Sequence, residues 1–167
     1  MEEIRNRVAE SKLVTVNLED YYQPGSRRSL DISEWLYEGF ILKEKEFRDA
    51  VKAHDWEQYE HAFLAVYCTS DAIIPAWAYM LITAQAAPYA RRVFYGDLEA
   101  LEASIYQETL ANTDFSHLKD KPVIVKGCSE KPVPQNAYLL LIQHLQPLVK
   151  SLLYGEACSS VPLYKRK

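Results

Sequence analysis

The residues best able to do chemistry in this chain are three cysteines, Cys68, Cys128 and Cys158. Each is followed by a hydroxyl residue, namely Thr69, Ser129 and Ser159. Thiolates ligate zinc, copper(I) and iron–sulfur clusters. Asp97 and Glu156 each follow a glycine and are candidate carboxylate ligands beside them. Gly127 precedes Cys128, and Gly155 lies three residues before Cys158, where a missing side chain lets the backbone approach a ligand. The hydroxyls are suited to donate hydrogen bonds to sulfur. The leading expectation is a metal site on Cys68, Cys128, Cys158, Asp97 and Glu156, taking zinc, iron or an iron–sulfur cluster. No Cys-x-x-Cys pair occurs, so such a site depends on convergence in the folded chain.

Two other readings of the same thiols stand beside it. A cysteine just before a helix N-terminus has its thiolate favoured, so Cys68 or Cys128 is a candidate nucleophile for a redox or sulfur-transfer enzyme. The histidines His54, His61, His117 and His144 are poorly placed as partner bases, which disfavours a Cys-His hydrolase. Cysteine also serves as a small apolar filler, and the chain is then a structural or interaction protein with inert thiols. A nucleotide cofactor is not expected, because five glycines include no GxGxxG or Walker-type loop.

The elements that must position these residues read as an α/β fold. Apolar runs at 62–67, 92–95, 122–126 and 152–154 predict strands, separated by helices over 71–87, 98–110 and 134–149. Asp71 is the expected cap of the first of these helices. Such alternation predicts one mainly parallel sheet of about four core strands with covering helices. All five candidate ligands then fall at strand exits along the edge where open α/β sheets bind ligands. Residues 1–61 form an irregular extension with a strand near 13–18, a Pro24-Gly25 turn, a helix from Asp31 and a charged helix over 43–54. The whole chain is expected to be a single domain, 1–167, with tandem β-α-β units over 62–167.

Those units repeat. Cys68, Ala78-Tyr79, Pro88 and Tyr95-Gly96-Asp97 match Cys128, Ala137-Tyr138, Pro147 and Tyr154-Gly155-Glu156. The offset is 60 residues at the cysteines and 59 from the helices onward, a register that points to internal duplication.

Composition narrows the partners. The net charge of −4, with no basic cluster before Lys165-Arg166-Lys167, argues against nucleic acid. The longest apolar stretch, 72–90, is broken by Pro75, Gln85 and Pro88 and reads as a buried helix rather than a membrane span. An odd cysteine count and an N-terminus without signal-peptide features predict a reducing, cytoplasmic location. Tyr21-Tyr22 is a candidate homodimer contact, set against an ordinary loop.

Several segments together resemble the DUF2480 family of uncharacterised bacterial proteins. They are Lys12-Leu13-Val14-Thr15 with Leu18-Glu19-Asp20-Tyr21-Tyr22, the run 41–48, Ser70-Asp71-Ala72-Ile73-Ile74-Pro75 with Trp77-Ala78-Tyr79, Lys126-Gly127-Cys128-Ser129, and Tyr154-Gly155-Glu156 with Cys158-Ser159. The resemblance carries no established activity. It implies genes lying near iron–sulfur assembly genes, and hence iron–sulfur assembly proteins as partners.

Overall fold

The computed structural model describes residues 12–127 and 130–167. The class is α/β, with four α-helices among the described residues and mostly parallel sheets. The chain divides into two compact units. One is inserted in the sequence, Pro24–Glu102; the other is split around it, Met1–Gln23 with Ala103–Lys167.

The inserted unit contains β2 (Arg27–Asp31), α1 (Glu44–Ala53), β3 (Phe63–Tyr67), α2 (Ala76–Ala86) and β4 (Arg92–Tyr95). The strands are parallel in the order β2-β3-β4. Leu64 and Val66 of β3 share a core with Phe47 and Val51 of α1 and with Ala78, Ile82 and Ala86 of α2. That spacing, every second residue on the strand and every fourth on the helices, is what burying one face of each requires.

The split unit contains β1 (Val14–Asn17), most of α3 (Leu98–Ala111), β5 (Pro122–Lys126), α4 (Gln135–Leu145), β6 (Ser151–Glu156) and β7 (Ser159–Lys165). Its sheet runs β1-β5-β6-β7, parallel except for the antiparallel β6–β7 hairpin. Val123 and Val125 pack with Tyr106 and Leu110 of α3 and with Ala137, Leu141 and Leu145 of α4.

The two units repeat one another down to single hydrogen bonds. His61 and Asp120 both adopt φ 60°, and their N–H groups donate to Tyr89 O and Leu148 O at 2.9 Å each. Pro75 and Pro134 precede helices of equal length, 11 residues. Phe47 and Tyr106, equally buried, take the same place on α1 and α3. All of these pairs are 59 positions apart. The first strands repeat at a spacing of 14: Asn17 and Asp31 each accept from the N–H two residues on, Glu19 and Ser33, at 3.0 Å.

Four expectations need correction. The four predicted strands are divided between two sheets, because β2 and β1 pair with β3 and β5 on their other sides. The N-terminal strands are therefore sheet members rather than an extension. The predicted helix from Asp31 is only a 3-10 turn, Ile32–Trp35. The helix expected from Asp71 begins at Ala76, since Pro75 holds the residue before it out of helical geometry and stands at the N-cap itself. Among the described residues no helix is long and apolar enough to cross a membrane.

Candidate functional site

At the carboxyl edge of the inserted unit, the end of β2 meets the segment following β3. Asp31 accepts hydrogen bonds from the Thr69 hydroxyl at 2.6 Å, Thr69 N at 3.2 Å and Ser33 N at 3.0 Å. Burial opposes the charge on Asp31, but these donors, led by the Thr69 hydroxyl, hold its carboxyl below the usual range. Cys68 is half-buried, and its thiol lies 3.7 Å from the Ser70 carbonyl as a weak donor. Tyr79 of α2 packs edge-on against Tyr95 with ring centres 4.9 Å apart. Burial, with the neighbouring Tyr95, Cys68 and Asp31, pushes the Tyr79 phenol up to about 12.

The predicted ligands do not share one unit. Cys68 and Asp97 belong to the inserted unit, Glu156 and Cys158 to the split unit, and Cys128 lies outside the described residues. Asp97 caps α3, its Oδ1 accepting from Ala100 N at 2.8 Å. Glu156, at the end of β6, lies 3.4 Å from Lys126 Nζ. Cys158 is exposed in the two-residue turn that follows the end of β6 and leads into β7. Among the described residues no group of three or more His, Cys, Asp or Glu is placed to hold a metal ion. The constant spacing of 59 also pairs Cys68 with Gly127 and Thr69 with Cys128, so the cysteines are not repeat equivalents. Cys68 is followed by a loop, and α2 begins only at Ala76. Tyr21 packs on Phe115 at 6.0 Å and Tyr22 lies beneath Lys131, so this pair is engaged within the split unit.

A pocket of about 410 Å³ lies in the split unit. Its walls are Val125 at the end of β5, Val133, Ile142, Leu163 of β7 and the rings of Tyr138 and Tyr154. Gln135, Tyr138 and Ile142 follow one face of α4, at spacings of three and four residues. Tyr138 and Tyr154 meet edge-on at 5.9 Å, repeating the Tyr79–Tyr95 contact. Gly127 explains how Tyr138 reaches the sheet: a Cβ there would come within 3.1 Å of both Tyr138 Oη and Leu18 Cβ. A second concavity, bounded by Pro122, Lys150 and Lys165, lies at the opposite, amino end of the parallel strands.

Sequence reasoning missed Gln135, Ile142 and Leu163. Tyr138 and Tyr154 were visible as register-matched positions of the repeat, but no periodicity announces which repeat is hollow. The strand that closes the pocket was hidden by Pro162, a residue that argues against a central strand and fits the edge position β7 occupies.

Fold and site together define a duplicated α/β protein with mostly parallel sheets and a pocket of ligand size at one carboxyl edge. The chain belongs to the DUF2480 family, described as a protein of unknown function, whose pattern matches residues 2–166. No curated protein and no solved structure is similar to it.

Proposed function

We propose that the chain is a small-molecule-binding protein whose ligand occupies the split-unit pocket. The observation that carries this reading is a cavity of about 410 Å³, within the range of roughly 300–1,000 Å³ of small-molecule sites, with mostly apolar walls and few polar groups. The pocket also stands at the carboxyl ends of β5 and β6, the edge where α/β sheets take ligands. The test is a fragment screen by NMR on the full chain. Ligands that shift Ile142 and Leu163 methyl signals, and lose affinity in Leu163→Trp, support the reading. A screen whose hits never touch those methyls sinks it.

A second reading keeps the metal or iron–sulfur accessory role, confined to the split unit. What supports it is that Lys126, two residues before Cys128, and Glu156, two residues before Cys158, lie 3.4 Å apart. Elemental analysis of protein purified without oxygen tests it. Stoichiometric zinc, or iron with sulfide, that is lost in Cys158→Ser supports this reading, and a folded protein that takes up neither metal removes it.

A further inference from the structure

Among the described residues the pocket lining holds no Asp, Glu, Lys, Arg or His. Lys126 adjoins Val125 in the chain, but neighbouring strand residues point to opposite faces, and its ammonium lies beside Glu156 at 3.4 Å. A charged ligand group in this pocket would give up its hydration with no opposite charge to meet it. Among the described lining residues polar recognition falls to the Gln135 amide and the Tyr154 hydroxyl, the Tyr138 hydroxyl lying against Gly127. The first offers both donor and acceptor, and so does the second.

The inserted unit serves as an internal comparison. At the positions equivalent to Gln135 and Ile142 it has Ala76 and Thr83, which supply no amide and less apolar wall. Its tyrosine rings lie 4.9 Å apart, whereas the split-unit rings stand at 5.9 Å. Among the described residues its sheet ends at β4, with no strand in the place of β7 and no counterpart of Leu163. The same scaffold thus carries the amide, the wider tyrosine pair and the closing strand in one copy only.

Resting on the ligand-binding reading above, we infer that the pocket selects an uncharged, mainly apolar molecule bearing a hydroxyl or carbonyl, which the Gln135 amide and Tyr154 hydroxyl recognise.

The experiment uses one ring system in three charge states on the full chain at pH 7: 2-naphthol, 2-naphthoate and 2-naphthylmethylammonium. Affinities come from calorimetry, with NMR locating the site. The expected result is at least tenfold tighter binding of 2-naphthol than of either ion. Gln135→Ala should reduce that preference over unsubstituted naphthalene, and Ile142→Trp or Leu163→Trp should abolish binding. Leu163 is half exposed on an edge strand, so its replacement spares the fold, and circular dichroism checks both variants. Equal or tighter binding of an ion at the pocket overturns the inference while leaving the pocket as a ligand site. Failure of all three to bind there, or binding untouched by both tryptophan variants, overturns the ligand-binding reading itself.

Discussion

Tyr106 and Phe47 occupy the same position in the two units, and the single oxygen that distinguishes them is a test of how each core is satisfied. Tyr106 is wholly buried on α3, and its hydroxyl donates to the Leu18 carbonyl at 3.0 Å. Leu18 is also wholly buried, and its Cβ lies against Gly127 at the wall behind Tyr138. Tyr106→Phe leaves that carbonyl short of a donor in a dry environment, at a cost of about 1–2 kcal/mol. With a urea m-value of about 2 kcal/mol/M for a chain of this size, the midpoint should fall by about 0.5–1 M. The reciprocal change, Phe47→Tyr, adds a hydroxyl to the cluster that holds Phe47 with Val51 and Ile82, and should cost about 1–3 kcal/mol if that oxygen finds no partner. Urea titrations followed by circular dichroism measure both. An unchanged midpoint for Tyr106→Phe, or a stabilised Phe47→Tyr, would refute the claim that the repeats have fixed their polar groups independently.

Three further outcomes follow from the same geometry. Asp97→Ala should remove the α3 cap and about 1 kcal/mol of stability, read as a lower thermal midpoint with no change in metal content. If metal is lost instead, Asp97 is a ligand after all. The Tyr79 phenol, raised to about 12, should remain protonated when ordinary tyrosines have ionised, and absorbance titration of Tyr79→Phe should lack the latest step. Because its folded value lies above its unfolded one, its contribution to stability is complete below about pH 10 and disappears as the pH rises toward 12. His54 behaves in the opposite sense. Burial beside Trp35, Trp56 and Tyr59 lowers its pKa despite Asp55, so stability holds above its unfolded value and declines as the pH falls through the folded one. The acid limb of that decline should flatten in His54→Gln, and a pH profile identical to the parent would discount it.

Much of the local structure was legible in the sequence because its signals are local. The run at 122–126 reads directly as β5, and Tyr79, Pro88 and Tyr95-Gly96 announce the repeat at its true spacing of 59. Matching cysteine to cysteine required an offset of 60, and that single slip made Cys68 and Cys128 look equivalent when Cys68 stands where the other unit has Gly127. The division into two sheets was not legible. Val14–Asn17 alternates as a strand should, Arg27–Asp31 has one apolar residue and does not announce itself, and nothing within either says that one pairs with β5 and the other with β3. Nor could spacing reveal the pocket, since its walls come from a strand, a helix and a hairpin that meet only after folding.

The nesting of one unit within the other also sets the order of events on the ribosome. Residues 24–102 leave the exit tunnel as a complete unit, whereas β1 emerges first and waits for β5 to be made. Both N-terminal strands end in the same kind of capped turn. They differ at the start: Arg27 at the start of β2 forms a bidentate pair with Glu102 at 2.8 and 2.9 Å, and the position equivalent to Arg27 before β1 is Leu13. Glu102 is the last residue of the inserted unit to be synthesised. The Arg27–Glu102 pair thus closes the inserted unit with its own last residue, a contact that β1, with Leu13 in that place, cannot make.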